Sequence, residues 1–203
     1  MVQAKKEEVK KEVENAALKI FSQKGYLDTK MSDIAKEANV SVGNIYTYFK
    51  NKEDLFYSVV PERLMIFLKE YLVESVHTYN KNYLNNHQIG EHDFLTEEHI
   101  NMVIKYRMQL LIIFEKSKGT RYEKAKEDLI NSIVVAKRTY LRKDHKRYNL
   151  CVEESVRLMK IIINSLINMV LDVLKEEMSE ESRITIFKAL NIYRLYGING
   201  LNE

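Results

Sequence analysis

Apolar positions recur with helical spacing in two short blocks between residues 31 and 49. Met31, Ile34, Ala35 and Ala38 stand at i, i+3, i+4 and i+7, and Val42, Ile45, Tyr46 and Phe49 repeat that spacing eleven positions on. At 3.6 residues per turn each set forms one stripe, which predicts two short amphipathic helices. Asn39-Val40 separates them, because Asn is a poor helix former that readily takes turn conformations. Ser41 stands where the N-cap of the second helix belongs, its hydroxyl placed to accept a backbone N–H of the next turn. For the first helix, Thr29 and Ser32 are both available as caps.

The polar positions of the second block then acquire a direction. At about 100° per residue, the stripe Val42, Ile45, Tyr46 and Phe49 leaves Asn44 and Thr47 almost opposite, flanked by Gly43 and Tyr48. Two short helices joined by a tight turn suit a helix–turn–helix, whose second helix lies in the DNA major groove. In that arrangement Asn44 and Thr47 face base edges: Asn pairs bidentately with adenine, and Thr hydrogen-bonds a base or touches a thymine methyl. Gly43 costs about 0.5–1 kcal/mol of helix stability relative to Ala, and one use for that cost is close backbone approach to a phosphate. The hydroxyls of Tyr46 and Tyr48 suit phosphate contacts, and Lys50 and Lys52 suit phosphate neutralisation. The same spacing also occurs in helical proteins that never meet DNA, so periodicity alone leaves both readings open.

The segment Val40 to Phe56, Val-Ser-Val-Gly-Asn-Ile-Tyr-Thr-Tyr-Phe-Lys-Asn-Lys-Glu-Asp-Leu-Phe, resembles the signature of the TetR family of bacterial transcriptional regulators. Upstream, Ala17, Ile20, Phe21, Gly25, Tyr26, Thr29, Ile34 and Ala35 match that family's first two helices. The resemblance spans about residues 8–58. It implies phosphate contacts from Lys30, Ser41, Tyr46, Tyr48 and Lys52, base contacts from Val42, Asn44 and Thr47, and structural roles for Ile45 and Phe49. Two positions depart from the pattern: Val42 stands where Lys or Arg is frequent, and Tyr48 where His is frequent. The first departure shifts affinity onto the lysines elsewhere; the second keeps a hydrogen-bonding aromatic.

Beyond Phe56 the chain reads as further helices. One runs from about Lys52 towards Asn82 with Pro61 inside it. Proline either breaks the helix near Val59-Val60 or opens a new one in its first turn. Residues 83–95 read as a connection. Thr96 caps a helix to about Lys116, residues 117–120 break the chain, another helix covers about 121–143, and 144–149 form a polar turn. From Val156 to Leu174, 13 of 19 residues are apolar and occupy more than one stripe. A helix apolar nearly all round must be covered on most sides. A second copy of the chain and a monomeric core are the two available covers. A last helix follows over about 181–196. The family resemblance implies that these last two helices form a four-helix homodimer interface, which matches a two-fold palindromic operator.

The resemblance also implies a pocket for a small-molecule effector. Phe67, Tyr71, Met102, Tyr106, Gln109, Ile113, Tyr140, Asn164 and Asn168, with Leu64, Leu68, Leu110 and Phe114, combine apolar surface with a few polar handles as such sites do. Plain core packing is the competing reading for each of them.

Bulk composition sharpens this picture only in places. One proline and six glycines among 203 residues leave few helix breakers, which favours an all-α fold. The net charge of +3 is mild, and residues 1–56 hold ten Lys against nine Asp and Glu, a balance of only +1. DNA binding therefore has to rest on where the lysines stand. Cys151 is the single cysteine, a usage that fits a reducing cytoplasm. The amino terminus lacks a signal peptide's apolar stretch, and no run approaches the roughly 20 apolar residues of a membrane span.

Enzymatic chemistry finds little support. His92, Asp93, Glu98 and His99 cluster without metal-site spacing, and no nucleophile elbow, phosphate loop or dinucleotide glycine pattern is present. Cys151 reads as a small core residue. The expectation is an all-α regulator without a metal or cofactor. It has an amino-terminal three-helix helix–turn–helix domain over residues 1–51 and a larger helical ligand-binding and dimerisation domain over 52–203. The alternatives are a helical small-molecule enzyme and a structural adaptor without DNA binding; the adaptor has no use for an outward Asn44 and Thr47 beside Tyr46, Tyr48, Lys50 and Lys52.

Overall fold

Breakers and caps divide the chain into helices, as the scarcity of glycine and proline predicts. The structure, a computed structural model, describes the backbone of residues 2–86, 96–148 and 150–196, with side chains over 5–77, 96–137 and 150–193. Among these residues every regular element is helical: α1 (Val2–Asp28), α2 (Met31–Glu37), α3 (Val42–Ile45), α4 (Lys52–Val59), α5 (Glu62–Asn86), α6 (Glu97–Lys105), α7 (Arg107–Leu111), α8 (Ala125–Tyr148), α9 (Val152–Lys175) and α10 (Glu180–Tyr196), with a π-helical turn over Ile112–Lys116. The all-α expectation holds.

Packing separates two compact units. The first comprises residues 1–66 and 107–126, and the second 67–106 and 127–203, so the cuts fall within α5 and α8. In the first unit α1 packs against α2, α4, α7 and the π-helical turn, and α2 packs against α3. Its core is formed by Val13, Phe21, Ile34, Ile45, Leu55, Phe56, Ile112 and Ile113, all fully buried. Phe56 is the hub, with ring centroids 5.1 Å from Phe21 and 5.0 Å from Tyr26 in edge-on contacts, the geometry that aromatic quadrupoles favour.

Gly25 ends the regular part of α1 with φ 81° and ψ 167°, a backbone region open essentially to glycine alone. An added Cβ would stand 3.3 Å from the carbonyl oxygen of Lys116. Glycine thus serves both the turn and the approach of the π-helical turn. Thr29 is buried and donates its hydroxyl proton to the Gly25 carbonyl at 2.6 Å.

Several helix boundaries depart from the sequence reading. Neither Thr29 nor Ser32 caps α2: the N-cap is Lys30, whose backbone N–H is accepted by the Asp33 carboxylate at 3.1 Å. Pro61 opens α5 and does not kink a longer helix, because α4 stops at Val59 and the Pro61 carbonyl accepts the N–H of Leu64. The helix expected over 96–116 is interrupted at Tyr106 and ends in the π-helical turn. Residues 144–148, expected as a turn, continue α8; they contain no glycine or proline to stop it. The connection expected over 83–95 begins later, since α5 reaches Asn86, and 87–95 lie outside the described residues.

In the second unit α10 packs against α6 and α9 around Leu171, Leu174 and Phe187. Arg183, only 3% exposed, donates to the carbonyls of Val173 and, at 2.9 Å, Glu176. It thereby satisfies carbonyls that the end of α9 leaves unpaired. Cys151 is exposed and not a core residue: it is the N-cap of α9, where its Sγ accepts the N–H of Glu154 and the Glu154 carboxylate accepts its own N–H at 2.7 Å.

Candidate nucleic-acid interface

The α2–α3 turn is built as the sequence reading requires. Asn39 takes a left-handed conformation, φ 53°, which Asn tolerates better than most residues. Ser41 then caps α3, its Oγ accepting the N–H of Asn44 at 3.1 Å.

The second helix is shorter than its stripe suggests. Regular α-helical structure covers Val42–Ile45, after which the chain tightens: Thr47 N–H bonds to the Asn44 carbonyl at 3.1 Å and Tyr48 N–H to the Ile45 carbonyl at 3.0 Å. Tightening raises the turn per residue towards 120°. Ile45 and Phe49 stay buried, at 0% and 4% exposure, while Tyr46 leaves the apolar stripe and is 51% exposed. Val42 is half-buried.

The exposed face of this segment holds Ser41, Gly43, Tyr46, Thr47 and Lys50, with Asn44 and Tyr48 half-buried beside them. Thr47 Oγ1 donates to the Asn44 carbonyl at 2.6 Å and lies 3.4 Å from Asn44 Oδ1, so the two side chains are neighbours. Lys30 is exposed at the start of α2.

A second cap fixes the far end. Asn51 Oδ1 accepts the N–H of Asp54 at 2.8 Å, and Asp54 Oδ2 accepts the N–H of Lys50 at 2.9 Å. These two bonds satisfy donors that a helix start would otherwise leave open. The Asn-x-x-Asp spacing at 51–54 carries that signal in the sequence.

Lys52 differs from the other lysines. Its Nζ donates to the carbonyls of Tyr26 at 2.8 Å, Thr29 at 3.0 Å and Leu27 at 3.4 Å, and lies 4.4 Å from the centroid of the Tyr26 ring. Two more lysines pair with acids between α1 and α2: Lys24 with Asp33 at 3.0 Å, and Lys19 with Glu37. The Lys24 hydrogen bond, with the Lys30 N–H, holds the Asp33 carboxyl below its ordinary range.

The sequence pattern described as bacterial regulatory proteins, tetR family, matches residues 15–59, the stretch that contains this geometry. Over those 45 residues, about a fifth of its length, the chain is TetR-like. It is similar to the fatty acid metabolism regulator protein of Bacillus subtilis, 42% identical over 55 residues, which are 27% of this chain and 28% of that one. The uncharacterized HTH-type transcriptional regulator YhgD of Bacillus subtilis is 57% identical over 47 residues, 23% of this chain and 25% of its own length. The match thus spans about a quarter of these relatives. A TetR-like transcriptional regulator from Rhodococcus sp. RHA1 shares the fold, with a TM-score of 0.51 and 16% identity over 93% of this chain and 96% of that one.

The effector-pocket candidates divide between the units. Gln109 and Ile113 belong to the first, where Ile113 is a buried core residue. Phe67, Tyr71, Met102, Tyr106, Asn164 and Asn168 belong to the second. There Phe67 and Tyr71 are parallel at 6.4 Å, and Tyr71 stacks on His99 at 3.6 Å. Burial raises the Tyr71 pKa and lowers that of His99. The side chain of Tyr140, like His92 and Asp93, lies outside the described residues. No group of metal-binding side chains occurs among the described residues, and no helix among them is long and apolar enough to cross a membrane.

Proposed function

We propose that the protein is a DNA-binding transcriptional regulator, a homodimeric repressor released from a palindromic operator by a small hydrophobic ligand. The observation that carries this reading is the exposure of Tyr46 and Thr47 beside Asn44 on a segment held by buried Ile45 and Phe49, within the matched residues 15–59. Asn44 and Thr47, with Val42, read base edges. Lys30, Ser41, Gly43, Tyr46, Tyr48 and Lys50 hold the phosphates and set the register. Residues 1–51 carry DNA binding, and 52–203 carry ligand binding and dimerisation, in the cytoplasm where the operator is.

Dimerisation is supported by the apolar side chains left exposed on the last two helices. On α9 these are Leu158, Ile161 and Ile162, at i, i+3 and i+4, with Ile161 64% exposed; on α10 they are Ile186, Ile192 and Tyr193. A second copy would cover them and provide two reading segments for two half-sites. The ligand acts by population shift: it binds better to the state whose reading segments are wrongly spaced for the operator. Phe67, Tyr71, Met102 and Tyr106 supply its apolar contacts, and Asn164 and Asn168 its polar ones.

Selection from random-sequence duplexes with the full chain tests this function. Enrichment of one palindromic sequence is the expected result; recovery of no preferred sequence contradicts it.

A further inference from the structure

We infer that Lys52 is a positioning residue for the reading segment and not one of its phosphate contacts. The inference rests on the DNA-binding reading above. An ammonium group has three N–H donors, and three carbonyl oxygens, those of Tyr26, Leu27 and Thr29, lie within 3.4 Å of Lys52 Nζ. The Tyr26 ring lies beneath the charge at 4.4 Å, a favourable cation–π arrangement. These acceptors form the corner between α1 and α2, where the carbonyls ending α1 lack helical partners and the helix dipole favours a cation.

The position of Lys52 gives this corner its consequence for DNA reading. Lys52 is the first residue of α4, immediately after the Asn51 cap and three residues beyond Phe49. Its bonds therefore tie the exit of the reading segment to the start of α2, the helix that packs against α3. Thr29, itself buried and bonded to Gly25, supplies one of the three acceptors. The clamp closes a ring through α1, α2, α3 and α4, and Ser41 and Asp54 fix the two ends of the reading segment within it. A phosphate contact by Lys52 would have to break this coordination.

The test compares Lys52→Met and Lys52→Arg with the unaltered full chain by two measurements, neither of which needs a known operator. The first is the dependence of affinity on salt, using one fixed mixed-sequence duplex. The second is native-state hydrogen exchange at the amides of Ile45–Phe49 relative to the core amides of α1. Lys52→Met is expected to leave the salt slope unchanged and to raise exchange selectively in Ile45–Phe49, by roughly tenfold or more, with Lys52→Arg restoring part of the protection. A slope reduced by about one per lysine removed, with exchange unchanged, overturns the inference in favour of a phosphate contact. A uniform rise in exchange across the unit overturns it in favour of general stabilisation. If selection finds no preferred duplex, sequence reading fails while the slope and exchange still decide the role of Lys52.

Discussion

Thr47 Oγ1 donates its proton to the backbone carbonyl of Asn44 at 2.6 Å. A hydroxyl has one proton, so towards a base Thr47 offers only oxygen lone pairs and its methyl group. It can accept from an exocyclic amine or lie on a thymine methyl, but it cannot donate. Thr47→Ser keeps the acceptor and Thr47→Val keeps the branch. One of the two is expected to retain preference at the contacted base pair and the other to lose about 1–3 kcal/mol of discrimination. Titration against a series of single-substituted duplexes checks this, and full preference in both variants would remove Thr47 from base reading.

Tyr46 should matter to DNA and little to folding. Its side chain has left the buried stripe and is half exposed. Tyr46→Phe is expected to weaken binding to every duplex by about the same factor, with the unfolding midpoint unchanged. A variant that instead relaxes sequence preference would make Tyr46 a base contact.

Gly25 should be intolerant of even a methyl group. Its φ of 81° and ψ of 167° strain any residue with a Cβ, at a cost of about 1–3 kcal/mol. Denaturant unfolding of Gly25→Ala should show a midpoint lowered by that energy divided by the slope, with the slope itself unchanged. An unaltered midpoint would mean that the turn relaxes freely.

His99 gives the second unit a pH dependence of definite sign. Its Nδ1 accepts the N–H of Thr96 at 3.2 Å, its ring stacks on Tyr71, and burial lowers its pKa against the smaller opposing effect of Glu98. The folded state therefore resists protonation more than the unfolded state does. The stabilisation is complete above the ordinary histidine range and is lost as pH falls below about 6.5 and through the lower folded value. His99→Asn provides an uncharged acceptor for the Thr96 N–H and should flatten this dependence in thermal unfolding followed from pH 7.5 to 5. An identical pH profile in the variant would assign the effect elsewhere.

Much of the helix–turn–helix architecture is legible in the residues themselves. Asn39, Ser41, Ile45 and Phe49 each have a local reason for their place: a left-handed turn, a cap and a buried stripe. Tyr46 is misplaced by periodicity because it lies at the edge of the stripe, about 100° around the helix from Ile45 and about 60° from Phe49, where spacing alone does not separate buried from exposed. The coordination of Lys52 is invisible for a different reason: its partners are backbone carbonyls more than twenty residues away, and carbonyls carry no residue signature. Pro61 leaves two outcomes open in the sequence, and the end of α4 at Val59 decides between them. Cys151 looks like a core residue by composition, yet its thiol serves as a helix cap because it falls just ahead of Val152.

In the proposed function Asn44 and Thr47 read sequence while other residues supply affinity. The most direct test is a fluorescence-anisotropy titration of the Asn44→Ala/Thr47→Ala variant at one salt concentration. The duplexes are the one enriched by selection and a scrambled version of it. The expected result is loss of the preference between them with binding to the scrambled duplex unchanged. An equal fall in affinity for both, or an undiminished preference, would contradict the account.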